Sequence, residues 1–331
     1  YDHLLALPAG LPPGTYTVLL RVLDPELQPL TASSGGVDVV LGQTAVRAGQ
    51  DAGQLPAFSA QRERFGPVTL LGYNLPDSAA RPGHALLLML YWQVQRTPPA
   101  EYQLRVRLLD PAGVILAESL TTPTRPDYLP TQWQPGDLLQ GQAALLVPGR
   151  AAQEPHQVEI ALLNPANGRP VGNPVILEQP VQIEPWPLET MFPTIASPLS
   201  ADFGRPPLIE LAGYDLAQDA GQMFLTLFWR SVAEAIPDNY RVFVHLVDGA
   251  GNIVTQADGF PVQGTRPPAG WRSREAIVDT HLVPLPPDLP AGNYTLYIGL
   301  YDPETGVRLP ITIAGEEQPD GQLLLQMVSH E

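Results

Sequence analysis

Apolar and polar residues alternate along much of this chain, in short runs that proline and glycine interrupt. Between Asn293 and Pro310, one set of alternating positions is entirely aromatic or aliphatic, namely Tyr294, Leu296, Ile298 and Leu300. Period-two alternation is typical of a β-strand with one face on a core. The segment from Asp302 to Gly306 that follows has the residues of a tight turn. The pattern therefore predicts a strand, a turn and a returning strand.

This pattern occurs three times, which indicates an internal repeat. Diluted copies lie at Thr15 to Leu30 and at Pro155 to Val171. Other landmarks recur 137 or 138 residues apart, namely Phe65 and Phe203, Trp92 and Trp229, Asp110 and Asp248, and Trp133 and Trp271. Because the interval agrees at so many positions, the sequence predicts tandem copies of a unit of about 138 residues.

The repeat divides the chain into three predicted units. Residues 1–46 are the C-terminal strands of an incomplete first unit, residues 65–183 are the second unit and residues 203–328 are the third unit. Residues 47–64 and the Pro-rich residues 184–202 are predicted linkers. So short a first unit buries too little apolar surface to stand alone. We expect it to complete a unit outside this chain, to pack on the second unit or to exchange strands with another chain.

Composition narrows the fold class. The 331 residues include 39 Pro and 29 Gly, which oppose long helices, while 44% apolar residues are too many for a disordered chain. Seven or eight short strands in each complete unit fit two packed sheets. The predicted fold is all-β, with tandem antiparallel β-sandwiches of the immunoglobulin-like or jelly-roll-like kind.

Charge and residue types exclude several functions. The formal charge of -16 argues against nucleic acid and anionic lipid as partners. The absence of Cys excludes disulfides and thiol chemistry, and no apolar run is long enough to insert into a membrane. The six His residues lack metal-binding spacing, so we expect no cofactor. The acidic turns lack the alternating carboxylates of a calcium loop, although calcium binding in the loops stays open.

The sequence contains no recognisable catalytic motif. No nucleophile elbow, phosphate-binding loop or dinucleotide-binding glycine pattern follows a predicted strand. A pair of glycosidase carboxylates is harder to exclude, because it requires only two acids at the right separation. We therefore expect no enzyme activity, with an accessory part of a glycan-active enzyme as the alternative.

Four tryptophans are candidates for either the core or a sugar site. Strand parity places Trp92 and Trp229 among apolar neighbours, which predicts core packing. Trp133 and Trp271 lie in loops, and each precedes an acid by four residues, Asp137 or Glu275. We expect this second pair either to seal one end of each sandwich or to line a loop-borne site.

The predicted outer face of the third unit is rich in aromatic rings. Its outward positions are Phe228, Arg230, Phe243, His245, Tyr297 and Tyr301. The corresponding positions of the second unit are mostly polar, namely Tyr91, Gln93, Arg105, Arg107, Glu159 and Leu163. Exposed rings beside His and Arg could bind a glycan, pack against a neighbouring domain or subunit, or lie beneath a loop.

Several motifs of the third unit resemble a bacterial β-sandwich repeat. They are carried by Trp229, Tyr240 to Asp248, Gly251, Trp271 and Leu285 to Pro310. This repeat is associated with the extracytoplasmic tails of large membrane proteins similar to glycosyltransferases of the mannosyltransferase type. The second unit departs from the pattern at Arg107 and at Leu163 to Pro165. The resemblance implies a non-catalytic region outside the membrane, on the surface of a bacterial cell or secreted.

These observations predict a non-catalytic, extracytoplasmic array of β-sandwich units. Its function would be to space, to assemble or to bind glycan at the cell envelope. The expected partners are a glycan, or neighbouring subunits that pair with an exposed sheet edge. One alternative is the accessory part of a glycosyltransferase or glycosidase, and another is a self-assembling surface or filament protein that exchanges strands.

Overall fold

The computed structural model describes residues 13–22, 31, 36–46, 55–76, 79–219 and 221–330. Within these ranges the chain consists of β-strands, short 3₁₀ turns and loops, and none of it is α-helical. The named strands pair antiparallel in several sheets, which confirms the predicted all-β fold. The predicted turn of the first unit, between its Leu23 and Leu30, lies outside the described residues.

The described part of the first unit is a two-stranded ribbon. Strand β1 (Gly14–Leu20) pairs antiparallel with β2 (Val39–Val46). Its apolar side chains remain largely exposed, with Val40 64% and Leu41 61% accessible. The ribbon contributes to neither hydrophobic core of the described chain.

The second unit is a sandwich of two sheets. The first sheet has the strand order β3-β4-β5-β8, with β3 (Ser59–Phe65), β4 (Val68–Asn74), β5 (Ala85–Val94) and β8 (Leu138–Leu146). The second sheet has the order β10-β9-β6-β7, with β6 (Gln103–Leu109), β7 (Ile115–Thr121), β9 (Pro155–Asn164) and β10 (Arg169–Pro170). Two short strands, β11 (Val175–Ile176) and β12 (Val181–Gln182), also pair with β9.

The third unit repeats this strand order. Its first sheet contains β13 (Ser197–Phe203), β14 (Ile209–Asp219), β15 (Gln222–Ser231) and β18 (Ala276–Pro284), with β20 (Ile311–Ile313) and β21 (Glu316–Glu317) added beside β13. Its second sheet has the order β17-β16-β19-β22, with β16 (Arg241–Val247), β17 (Ile253–Gln256), β19 (Gly292–Tyr301) and β22 (Leu323–His330).

One tryptophan on a central strand lies in the core of each sandwich. Trp92 on β5 and Trp229 on β15 have no exposed surface, which confirms the core position predicted from strand parity. The Phe65 ring meets Trp92 edge-on at 5.8 Å between centroids, and Phe203 meets Trp229 at 5.3 Å. Truncating a buried aromatic of this size to Ala costs about 3–5 kcal/mol, so these pairs contribute substantially to each core.

Both predicted linkers are shorter than expected, because each ends in a strand. Strand β3 lies largely within 47–64 and β13 within 184–202, so the second and third sandwiches begin at 59 and 197. Both are interrupted by a bulge, between Ala60 and Glu63 and between Pro198 and Ala201. A bulge interrupts the period-two alternation by which a strand is predicted, and the residues of β3 that face solvent are polar. The sequence pattern therefore predicts a linker where the structure has these two strands. Residues 175–183 likewise form two short strands, β11 and β12, rather than one, because Pro180 lies between them.

A glycine on the neighbouring strand accommodates each of these irregular strands. A Cβ at Gly72 would lie 2.3 Å from the Ser59 carbonyl oxygen, and one at Gly213 would lie 2.5 Å from that of Ser197. Register shifts occur beside both glycines, in the pairing of β4 with β5 and of β14 with β15. The close approach of β3 and of β13 therefore requires the absence of a side chain at these two glycine positions.

Candidate functional site

The residues predicted to form one outer face lie on two different sheets. Phe228 and Arg230 belong to β15 in the first sheet of the third unit. The other four belong to β16 and β19 in the second sheet, namely Phe243, His245, Tyr297 and Tyr301. The outer faces of the two sheets point away from each other, so the predicted single ligand face is wrong. Strand parity determines which residues point outward, but it does not determine which sheet carries them.

Phe243 is covered rather than exposed. Its ring lies across Gly299, where a Cβ would come within 2.3 Å of it, and only 2% of the residue is accessible. The Arg308 guanidinium carbon lies 4.5 Å from the ring centroid, and Arg308 donates a hydrogen bond of 3.1 Å to the Asp320 carbonyl. The Arg308 side chain thus covers the ring. This arrangement corresponds to the alternative in which a loop covers the aromatic face.

The other members of this cluster pack around Phe243 and are partly buried. The rings of His245 and Tyr301 lie 4.8 and 6.4 Å from the Phe243 ring, and Tyr297 is opposite His245 in the strand register. His245 Nε2 is 3.5 Å from Asp258 Oδ1. Burial lowers the pKa of His245, and the Asp258 carboxylate partly opposes this effect. The cluster is therefore a packed contact with a titratable group inside it.

The segment before the third unit covers Phe228 on the opposite sheet. The Phe192 ring meets Phe228 edge-on at 5.8 Å, and the Arg230 guanidinium lies 4.7 Å from the Phe192 centroid. Arg230 also donates to the Thr190 carbonyl at 3.2 Å. In the second unit Phe58 stacks on Tyr91 at 4.7 Å, so the chain covers an outward ring of β5 in the same way.

Trp133 and Trp271 are buried at the ends of their loops and cannot stack on a ligand. The Trp133 indole donates to the Tyr128 carbonyl at 3.1 Å, and the Trp271 indole donates to the Arg266 carbonyl at 2.8 Å. The acids that follow are buried too. Asp137 accepts from the Tyr128 hydroxyl at 2.9 Å and raises the pKa of that tyrosine further above the value that burial gives it. These loops seal the sandwiches, which is one of the two alternatives that the sequence left open.

Glu275 replaces Asp137 in the third unit with a different partner. Its carboxylate accepts from the Arg266 guanidinium at 2.5 Å and from the Arg272 amide at 2.8 Å. The hydrogen bond from the Tyr128 hydroxyl to Asp137 in the second unit therefore corresponds to the ion pair of Arg266 with Glu275 in the third unit. Both arrangements satisfy a buried acid and close the same turn.

The carboxylates of the acidic turns bind their own backbone. Asp248 Oδ1 accepts from the Ala250 and Asn252 amides at 2.9 and 2.8 Å, and Asp302 Oδ1 accepts from the Glu304 amide at 2.8 Å. Hydrogen bonds from Asn252 and its neighbours lower the pKa of Asp248. Among the residues that the structure describes, no group of three or more acids and histidines is placed to hold a metal ion.

A groove of about 360 Å³ lies at the side of the third unit, where the connection from β17 to β18 crosses between the two sheets. Sequence reasoning missed this site. It is lined by Ala257, Asp258, Gly259, Phe260, Gln263, Asp279, Thr280, His281 and Leu282. The Arg241 guanidinium lies 5.5 Å from the Phe260 centroid and donates to the Asp258 carbonyl at 3.4 Å. This groove therefore adjoins the packed cluster around His245 through Asp258.

Asp279 is the centre of the hydrogen bonds beneath this groove. Its Oδ2 accepts from the Trp229 indole at 3.1 Å and lies 2.8 Å from His281 Nε2, while Oδ1 accepts from the Val262 amide at 2.8 Å. Asp279 is 1% and His281 7% exposed. A carboxylate this deeply buried requires such donors, and it fixes the histidine ring in one orientation.

The loop that donates to Asp279 has an unusual backbone. Val262 and Gln263 both adopt left-handed conformations, with φ of 52° and 53°. This region is disfavoured for non-glycine residues, most strongly for a β-branched one, at a cost of order 1–3 kcal/mol each. The bond from the Val262 amide to Asp279 holds the loop against the floor of the groove.

The second unit has a groove in the corresponding place but with different chemistry. Its volume is about 560 Å³, and it is lined mainly by threonine, glutamine and small residues. The Trp92 indole donates to the Pro123 carbonyl at 3.2 Å, and Gly141 stands where the third unit has Asp279. A Cβ at Gly141 would lie 1.9 Å from the Pro123 oxygen. The acid and histidine are thus specific to the third-unit groove among the two that are described.

The second and third units meet at a junction formed by glycines. A Cβ at Gly149 would lie 2.4 Å from the Trp271 carbonyl, and one at Gly270 would lie 2.4 Å from the Pro82 carbonyl. The Gly149 amide donates to the Ala269 carbonyl at 3.1 Å. Asn239 of the third unit donates to the Gly83 carbonyl of the second at 2.9 Å. Backbone therefore touches backbone across this contact.

Trp186, in the segment between the units, joins the two sides of the junction. Its ring lies 4.5 Å from the guanidinium of Arg81 in the second unit and 5.0 Å from that of Arg266 in the third. Its indole donates to the Pro82 carbonyl at 3.2 Å, and Arg272 donates to its carbonyl at 2.6 Å. The linker is thus an integral part of the contact between the units.

Comparisons with known proteins add little to this description. No family model matches the chain, and no curated protein matches it. Among solved structures, the chain is similar to the C-terminal domain of the Streptococcus agalactiae AgI/II polypeptide BspA. That match has 11% identity, covers 77% of this chain and 97% of the other, and has a TM-score of 0.20, which is too low to support an argument. Within the described ranges, the fold offers no helix of the length and apolarity that crossing a membrane demands.

Proposed function

We propose that this chain is a non-catalytic, extracytoplasmic spacer in which the second and third units keep a fixed relative orientation. The observation that carries the proposal is the junction of Gly149, Gly270 and Trp186. The glycines bring main chain against main chain, so bending would require the hydrogen bonds of Gly149 and Asn239 and the contacts of Trp186 to break together. Each such hydrogen bond contributes about 0.5–1.5 kcal/mol, and each contact of Arg with the Trp186 ring about 0.5–1 kcal/mol.

The location of this spacer is also part of the proposal. The sequence motifs of the third unit resemble repeats from extracytoplasmic tails, and the charge of -16 suits a soluble surface-exposed segment. The non-catalytic character is supported by the buried carboxylates. Asp137, Glu275 and Asp279 all have structural hydrogen bonds or ion pairs within the sandwich.

The distance between two spin labels tests the proposal directly. The chain has no Cys, so Leu87→Cys on β5 and Val278→Cys on β18 give two unique and exposed labelling sites. We expect pulsed dipolar spectroscopy to give one narrow distance distribution. Trp186→Ala should broaden it, whereas Leu188→Ala, an exposed neighbour in the same segment, should not. A broad distribution in the unmodified chain would overturn the proposal.

Assembly through the first unit is a second candidate function. The exposed apolar residues of the β1–β2 ribbon, with Leu19, Val40 and Leu41 more than half accessible, favour it. An apolar ribbon with free edges is a template for pairing with a further strand. The test is the solution mass across a range of concentrations. A strictly monomeric chain would contradict this candidate.

A further inference from the structure

We propose that the groove at the side of the third unit binds the ring of a neutral sugar, with His281 and Asp258 accepting hydrogen bonds from its hydroxyl groups. This inference goes beyond the spacer function and concerns a surface that the junction does not use. It depends on three features of the groove, namely a fixed histidine acceptor, a carboxylate with spare capacity and an aromatic wall.

Asp279 fixes the tautomer of His281. An ionised carboxylate only accepts hydrogen bonds, so His281 Nε2, at 2.8 Å, must carry the hydrogen. In the neutral ring the other nitrogen, Nδ1, is then an acceptor. Among the described residues Nδ1 has no hydrogen-bond partner, and His281 lines the groove. Asp279 itself already receives three donors and acts as a positioning residue.

Asp258 supplies the second acceptor. Its Oδ1 lies 3.5 Å from His245 Nε2 without forming a hydrogen bond that meets normal geometry. Its Oδ2 has no hydrogen bond to another described residue and is not enclosed. His281 Nδ1 and Asp258 Oδ2 are thus two acceptors that a ligand in the groove can use. A ligand that brings several O–H donors fits these acceptors.

The remaining lining selects against ions. The charged carboxylates among the described residues that line the groove, Asp258 and Asp279, disfavour an anion, and the Arg241 guanidinium lies beside the Phe260 ring, 5.5 Å from its centroid. Only one of the two acids, Asp258, is available to a cation, because Asp279 is enclosed by its donors. The Phe260 ring offers an apolar wall for the C–H face of a sugar. A groove of about 360 Å³ has the size for one such ring rather than an extended chain.

The same arrangement favours binding over hydrolysis. A glycosidase requires two carboxyl groups that both reach the scissile bond. Asp279 offers no free oxygen, since its two oxygens already accept from Trp229, His281 and Val262. The groove thus holds one available carboxylate, and we expect no cleavage of aryl glycosides.

Saturation-transfer NMR on the full chain tests this site. The probes are the methyl glycosides of mannose, galactose, glucose and N-acetylglucosamine, with sodium acetate as a charged comparison. We expect at least one glycoside to bind and acetate not to bind. His281→Ala should weaken that binding by about tenfold or more. Gln142→Ala, which lies in the corresponding groove of the second unit, is the matched control and should leave binding unchanged.

Two further variants keep the test decisive. Phe260→Leu keeps an apolar side chain of similar bulk but removes the ring, and it should also weaken binding if His281→Ala proves unstable. Asp279→Asn should weaken binding and shift the ¹⁵N resonances of the His281 ring, because an amide can donate to Nε2 and move the hydrogen to Nδ1. Absence of binding to every glycoside, or binding that neither His281→Ala nor Phe260→Leu alters, would overturn the proposal.

Discussion

A buried tryptophan N–H needs an acceptor, and the two described sandwiches provide it in different ways. In the second unit the acceptor is the Pro123 carbonyl, which approaches because position 141 is Gly. In the third unit the acceptor is Asp279, which also binds His281 and the Val262 amide. At the scale of single residues, Gly141 allows a close contact with Pro123 in the second unit, whereas Asp279 at the same position of the third unit forms a polar site beside a groove.

Replacing Asp279 by Ala should destabilise the third unit. The change leaves the Trp229 indole and the Val262 amide without acceptors, and each unsatisfied buried donor costs about 1–3 kcal/mol. We therefore expect a fall of about 2–4 kcal/mol in the free energy of unfolding, measured by urea denaturation with Trp fluorescence. Thr280→Ala, at an exposed neighbouring position, should change it by less than about 0.5 kcal/mol. Equal effects of the two variants would contradict the role of Asp279.

His245 should make the third unit less stable in acid. Burial lowers the pKa of this ring below its ordinary value of about 6.5, despite the nearby Asp258. Between about pH 6.5 and the lowered pKa, the His245 ring binds a proton in the unfolded state but not in the folded state. The free energy of unfolding therefore falls as the pH drops from about 6.5 towards the lowered pKa. The measurement is thermal unfolding at pH 7.5, 6.5 and 5.5, pH values chosen to bracket the ordinary pKa of histidine.

The matched variants for this pH effect are His245→Gln and His330→Gln. His245→Gln should reduce the loss of stability in acid, because no ring remains there to be protonated in the unfolded state. His330→Gln, at the end of β22, should retain it. An unchanged pH dependence in His245→Gln would show that a different group is responsible.

At the scale of strands, the sequence predicts regular elements well and irregular ones poorly. The alternation predicts the starts of β9 and β19 within about two residues, because each of these strands buries one face against a core. Strands β3 and β13 carry bulges and lie at or near sheet edges, where alternation carries less information. Their position depends on the neighbouring glycines, which a single-strand pattern does not reveal.

Gly72→Ala tests how the edge strand β3 is held. The new Cβ would lie 2.3 Å from the Ser59 carbonyl oxygen, so β3 would have to move away from β4. We expect the free energy of unfolding of the second unit to fall by about 1–3 kcal/mol. Hydrogen exchange should show faster exchange in β3 than in β5.

Gly292→Ala is the matched control for this substitution. A Cβ there would meet no heavy atom within 4 Å, and its backbone lies outside the left-handed region. We expect stability to be unchanged or slightly higher, since Ala restricts the unfolded chain more than Gly does. A loss at Gly292 equal to that at Gly72 would indicate a general intolerance of side chains rather than a close contact.

The candidate sites show the same limit of sequence reasoning. Parity identifies Phe228 and Phe243 as outward-facing, but their covering partners come from distant segments around Phe192 and Arg308. The groove was missed for a related reason, because its walls are strand β18 and the loop that precedes it, which are distant enough along the chain that no local pattern joins them. One signal was present in the sequence: Asp279 and His281 replace Gly141 and Ala143 at the 138-residue interval.

At the scale of the whole molecule, each sandwich has its own core, and the β1–β2 ribbon belongs to neither. We therefore expect a fragment of residues 55–330 to unfold at a temperature close to that of the full chain. Scanning calorimetry measures this, and light scattering of both chains measures association. A fragment that is much less stable would show that the first unit supports the second. Loss of self-association in the fragment alone would support assembly through the ribbon.

The glycine junction also has a mechanical consequence. A joint made of main-chain contacts transmits rotation, so a small change of angle between two sandwiches becomes a large displacement at the far end of the third. If further units are joined by the same contacts, the joint angle determines the pitch of the whole array, and its stiffness determines the length over which direction persists. One bulky side chain at Gly149 or Gly270 would then separate the two main chains and allow the second and third units to rotate relative to each other.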